Sequence, residues 1–311
     1  MDRGLYKDFD GKEPNTIFNV TNDTDDGSVE LRKMTLKHLI AGDSDSAYFS
    51  VPEKIVNHLD KDEDRITEFC DNVAGYVNDK FPSFIEKAFN CPKERNDSMV
   101  AEREVVSDKS LFLTKKRYIM HVVNNEGKKV DKMKIMGVEI KKSSTTVMLK
   151  RHLMELVNMI LDGYSDEEVK HDIRNRMKEE FYDADLMDIA KPTSIKTLAK
   201  AEKSYRMTGS YKGIAWQAKA AMMWNDGRDS MDERLVPGMK IGVLAVNHRE
   251  YNKIGYPIDL TKLPQWFLSH TFDYDTMWNA HYKTINNYLE SMEWDGKSMR
   301  QKALQRSGWD F

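Results

Sequence analysis

The sequence predicts an α+β fold, with antiparallel strands in its first half and mainly helices in its second. Three observations carry this expectation. Between 99 and 140 the runs "MVAEREVV", "LFLTKKRYIMHVVN" and "KMKIMGVEI" are short, alternating and rich in β-branched and aromatic residues, the pattern of half-buried strands. Around 38–51, "HLIAGDSDSAYFSV" sets a Gly-Asp-Ser-Asp-Ser turn between two apolar runs, which reads strand, turn, strand. After "KKSSTT" apolar residues recur at helical spacing.

The elements follow in order. Residues 1–36 are acidic, rich in Asp, Asn, Gly and Thr and without clear periodicity, so an irregular, weakly ordered extension is expected there. Ile66, Phe69, Val73, Tyr76 and Val77 predict an amphipathic helix over 62–79, with Pro82 marking a break near its end. "NNEG" at 124–127 is the expected turn between two of the later strands. Ser144 or Thr145 is placed to cap a helix through Met148, Leu149, Leu153, Leu156, Val157 and Ile160, ending at Gly163. Ser165 and Glu168 offer a capping box for a helix through Val169, Ile173, Met177 and Phe181. "MKIGVLAV" reads as a strand, and 275–292 as a helix whose Met and aromatic stripe reads as core.

Composition bounds the function. The chain has 311 residues, 32% of them charged, and a mean hydropathy of −0.67. No apolar run of about 18 residues suggests a membrane span. The N-terminus lacks a signal-peptide pattern, and Cys70 and Cys91 fit neither a Cys-x-x-Cys nor a Cys/His ligand pattern. A reduced, cytoplasmic setting is the expectation. Net charge is −3, yet residues 109–151 hold twelve Lys or Arg against Glu126, Asp131 and Glu139. That segment is +9 and the remainder −12. Such polarisation suits a phosphate-backbone binder, though a charge run is also simply a solvated face.

Asp43 and Asp45 sit at the turn of the expected hairpin. Paired carboxylates repel unless they are solvated, protonated or bridged by a cation, and hard oxygen ligands suit Mg²⁺. Spacing leaves both the metal site and the solvated turn open, because Asp183/Asp185 and Asp273/Asp275 repeat the pattern.

The order of motifs adds more than any one of them. "GDSDS" (42–46), "AEREVV" (101–106), "KKRY" (115–118) and "KIMGVEIKKSST" (134–145) together resemble family B DNA polymerases, most closely those of T4-like bacteriophages. The resemblance covers about residue 39 to the C-terminus. It implies a palm sheet packed by helices and followed by a mainly helical thumb, with 37–140 as the C-terminal half of the palm and 141–300 as the thumb. It implies that Asp43 and Asp45 hold catalytic Mg²⁺, with Glu104 as an accessory carboxylate. Lys115, Lys116, Arg117 and Tyr118 would then hold primer-template DNA near its growing end, and Lys141, Lys142, Ser144 and Thr145 would grip phosphate at the palm-to-thumb junction. The tail 301–311, with Trp309 and Phe311, resembles the short segment by which such polymerases dock on a sliding clamp.

What is missing shapes the expectation equally. The family's exonuclease, the palm motif with the other metal-binding aspartate, and the fingers helix would all precede residue 39. The resemblance therefore implies a split DNA-directed DNA polymerase. This chain would supply its C-terminal part, and an N-terminal polymerase polypeptide would carry the rest of a two-metal site that acts on dNTPs. If phage-encoded, the chain would work in the host cytoplasm. Two other readings stand: a non-catalytic DNA-binding module built on the same surface, and an interaction protein whose basic segment is only solvated.

Overall fold

A computed structural model describes the backbone at 5–6, 16–21 and 30–35, and then residues 39–42, 46–97, 99–114, 116–292 and 294. Antiparallel sheets and packed helices make up the molecule, 21% strand and 48% helix, so the α+β expectation holds. The chain divides into two compact units, Met1–Lys109 with Met120–Lys134 and Ser110–Ile119 with Ile135–Phe311.

The first unit opens with β1 (Leu5–Tyr6), β2 (Thr16–Thr21) and β3 (Glu30–Thr35), an antiparallel sheet in which Thr16 pairs with Thr35 and Thr21 with Glu30. This differs from the irregular extension expected of 1–36. The Asp- and Asn-rich stretch at 22–26 masks the strand content of Ile17, Phe18 and Val20. A second hairpin follows, β4 (Leu39–Gly42) with β5 (Ala47–Phe49), its register irregular between Leu39 and Ala41. Short α1 (Glu53–His58) leads into α2 (Glu63–Phe89), capped by the Asp62 side chain. Pro82 does not end α2. The missing proline N–H leaves the carbonyl of half-buried Asn78, four residues back, without its helical partner, and the helix runs on to Phe89. A 3₁₀ turn at Lys93–Arg95 closes this region.

Strands β6 (Val105–Thr114), β7 (Arg117–Asn125) and β8 (Lys128–Met136) form a sheet in that order. Glu126 and Gly127 both have positive φ, 49° and 82°. Those are the dihedrals of a tight two-residue hairpin turn, as "NNEG" predicts.

The second unit continues through a 3₁₀ turn at Glu139–Lys141 into α3 (Val147–Leu161), α4 (Asp166–Asp172), a π turn at Ile173–Met177 and α5 (Lys178–Tyr182). The Ser165–Glu168 capping box forms as expected. Val169, Ile173, Met177 and Phe181 are all buried, the π turn keeping them on one inward stripe. After α6 (Leu186–Ile189) and β9 (Lys191–Ser194) come α7 (Leu198–Thr208) and α8 (Trp216–Gly227). Then follow β10 (Lys240–Ala245), β11 (Lys253–Pro257), α9 (Gln265–Leu268) and α10 (Tyr274–Ser291). The sheet runs β11-β10-β9 and is antiparallel throughout. Both its faces are buried, through Ile241, Val243 and Leu244 on β10 and Ile254 and Tyr256 on β11. Trp224, fully buried on α8, packs its ring 5.2 Å from Trp266 and donates its indole N–H to the Glu233 carbonyl at 2.8 Å.

Candidate functional site

The β4–β5 register pairs Gly42 with Ala47, so the residues between them connect two paired strands, as the sequence predicts. Asp43 and Asp45 themselves lie outside the described residues, as do Lys115, Trp309 and Phe311. Among the described residues, no group of three His, Cys, Asp or Glu side chains could hold a metal ion.

Glu104, in the first unit, is engaged. Its carboxylate accepts from the Lys134 ammonium at 2.6 Å, and its carbonyl accepts from the Glu126 N–H at 2.8 Å. The same unit holds a cluster that sequence reasoning missed. His121, on β7, bridges Asp108 of β6 at 2.6 Å and Asp131 of β8 at 2.7 Å. Hydrogen bonds to Asp131 and Asp108 raise its pKa above the ordinary histidine value, outweighing slight burial. The signal was present but non-local: period-two strands bring together residues ten and thirteen apart only once the register is known.

In the second unit the "KKRY" and "KIMGVE" segments meet. Lys116 has φ of 61°, and its carbonyl oxygen would lie 2.2 Å from a Cβ at residue 137. Gly137, itself at φ 66°, is therefore required there on two counts. Arg117 forms an ion pair with Glu139, whose carboxylate also takes Lys142 at 3.0 Å and the Tyr288 hydroxyl at 3.4 Å. Burial pushes the Glu139 carboxyl up, but the hydrogen bond from Lys142, a backbone hydrogen bond and the Arg117 charge leave its pKa lowered overall.

This hub reshapes the expected grip. Two of its cations, Arg117 and Lys142, are held by a carboxylate, and Lys141 and Lys142 are both exposed. Tyr118 is 8% exposed with its ring 5.5 Å from Phe112, the placement of a core aromatic. Ser144 is exposed. Thr145 is buried and donates its hydroxyl to the Glu139 carbonyl at 2.7 Å. That leaves the cap of α3 to the next residue, Thr146, which accepts from the Leu149 N–H at 3.1 Å. The expected cap at Ser144 or Thr145 is thus displaced by one residue, because Thr145 locks the preceding 3₁₀ turn. Glu139 was legible only as one of three acids in the basic segment.

Elsewhere Lys129 pairs with Asp64 at 2.7 Å, and Arg151 with Glu180 at 2.9 Å. Counting charges therefore overstates how many cations stand open to a ligand. No described helix is long and apolar enough to cross a membrane. No family model matches this chain, and no curated protein matches it either.

Proposed function

We propose that this chain is the C-terminal part of a family B DNA polymerase and works with a second polypeptide that supplies the exonuclease, the fingers and the remaining palm. The observation that carries the reading is the β4–β5 pairing, with Gly42 opposite Ala47 and the sequence Asp-Ser-Asp-Ser joining them. Carboxylates in such a connecting sequence would supply the hard oxygen ligands that suit Mg²⁺.

In this reading Asp43 and Asp45, with carboxylates of the partner chain, hold Mg²⁺, which neutralises charge on the dNTP and activates the primer terminus. The chain's own part is to hold the primer-template. Lys141, exposed beside the Glu139 hub, contacts backbone phosphate. Gly137 and Glu139 fix Lys116 and Arg117 at the junction, and buried Tyr118 supports the start of β7 from inside. The tail with Trp309 and Phe311 serves a sliding clamp. Primer extension with Mg²⁺, using this chain, the partner and the mixture, tests the reading. Activity confined to the mixture and lost in Asp45→Ala supports it; a mixture with no activity contradicts it. The pairing of Glu104 with Lys134 favours a second reading, a DNA-binding module without catalysis, in which DNA binding stays salt-sensitive while extension is absent.

A further inference from the structure

We propose that the second unit carries a phosphate-binding cleft at the β9–β10 edge, whose cations, Lys196 and Lys240, are distant in sequence from Lys141 and Lys142 although Ser143 and Ser144 line its wall. The cleft has a volume of about 210 Å³ and is lined by Ser143, Ser144, Thr193, Ser194, Lys196 and Lys240, with Pro192 and Gln217 completing its wall. Hydroxyls donate hydrogen bonds, and lysines supply point charges that suit phosphate oxygens. No carboxylate lines it, although the chain has 51 Asp and Glu.

The cations are positioned by the backbone. Lys240 pairs with Ser194 across the β9–β10 ladder. Ile195, 2% exposed, accepts from the Gly238 N–H at 3.0 Å and donates to the Met239 carbonyl at 2.9 Å. Lys196 and Lys240 therefore project from neighbouring, hydrogen-bonded segments. Among the described residues neither has an ion-pair partner.

A second lysine pair stands on the same sheet. Lys253 lies 4.6 Å and Lys191 5.9 Å from the Trp216 ring centroid, next to Gln217 of the cleft wall. Burial, and then the charge of Lys191, hold the Lys253 ammonium below its ordinary pKa. The register sets Lys191, opposite Val243, and Lys253, opposite Ala245, on the sheet face away from Lys240, so the cleft's own cations are Lys196 and Lys240, and these favour a phosphate group there. The ligand chemistry is a phosphate group, either of a nucleic-acid backbone or free. The nucleic-acid form rests on the reading of the preceding subsection; the phosphate chemistry does not.

The test uses the full chain and Lys196→Ala/Lys240→Ala, with Lys283→Ala on α10 as control. Two probes separate the sources: a duplex DNA oligonucleotide, read by its Kd across a salt series, and inorganic phosphate, read by its effect on Tm. For a nucleic-acid site, the double variant binds DNA more weakly and the slope of log Kd against log salt falls by about 2, roughly 1 per lysine. For a free-phosphate site, phosphate raises the Tm of the wild type and of Lys283→Ala but not of the double variant. That result without any DNA binding keeps the cleft and contradicts the nucleic-acid reading. Unchanged DNA affinity and slope, with the same phosphate response in every protein or in none, overturns the proposal.

Discussion

α2 and α3 are both amphipathic helices, yet they end in opposite environments. α3 buries seven of its fifteen residues, among them Leu153, Leu156 and Val157. α2 has 27 residues and buries only Ile85. Its Val73, Tyr76 and Phe89 are exposed, as are Phe49, Met99 and Val100 elsewhere in the first unit. Helical periodicity thus marks which side is apolar and leaves open what covers it. In the second unit the chain covers the apolar stripe of α3. Among the described residues the first unit leaves large apolar side chains of α2 exposed, whereas the exposed ones of the second unit, such as Met207 and Met231, are scattered along the chain.

The histidines make the same contrast. His121 in the first unit is held towards its charged form by two aspartates. In the second unit, His152 on α3 and His281 on α10 meet ring nitrogen to ring nitrogen at 3.0 Å, both buried. Burial lowers both, His281 to about 3, and keeps the pair neutral; Glu180, on the other nitrogen of His152, opposes this without reversing it.

The largest effect that sharpens this comparison is a pair of truncations. Trp224→Ala should destabilise the second unit by about 3–5 kcal/mol, because it opens a cavity among Trp266 and Phe267. Phe89→Ala, on the exposed end of α2, should stay within about 0.5 kcal/mol. Denaturant titration of both variants checks this, and equal losses would break the contrast. Gly137→Ala comes next, at roughly 1–3 kcal/mol, since the new Cβ meets the Lys116 carbonyl at a positive φ.

Glu139→Ala should cost roughly 1–2 kcal/mol by leaving Arg117 without its carboxylate. Because the Glu139 pKa is lowered in the fold, its contribution is present above the ordinary carboxylate range and fades as pH falls through the folded value. A stability–pH curve for Glu139→Gln should therefore be flatter than wild type on the acid side.

A pH effect has opposite signs in the two units. Lowered histidines contribute stability above pH 6.5, and it drains away towards pH 3 as the unfolded chain takes up protons. The raised His121 contributes below pH 6.5, and its share is lost as pH rises through the folded value. His281→Phe should flatten the acid side of the curve and His121→Asn the neutral side. The same change from both variants would contradict the assignment.

Much of this was legible in the sequence, for local reasons. The Ser165–Glu168 box, the turn at Glu126–Gly127 and the end of α3 at Gly163, φ 83°, follow from residues within one turn of each other. What was not legible depends on partners distant in the chain. Thr145 gives up its capping role to bond Glu139, and Tyr118 turns inward to Phe112. Glu139 gathers Arg117 and Tyr288 from 22 and 149 residues away. Asp108, His121 and Asp131 become neighbours only through strand register. The continuation of α2 beyond Pro82 ran against a local rule, the helix going on although the Asn78 carbonyl lacks its helical partner.

The most direct test of an open first unit and a closed second one is amide hydrogen exchange on the full chain by itself. Amides of α3, α8 and β10 should exchange at the slow rate set by global unfolding, and those of α2 orders of magnitude faster. Equal protection of α2 and α3 would mean that the first unit is complete without a partner, and would contradict the account.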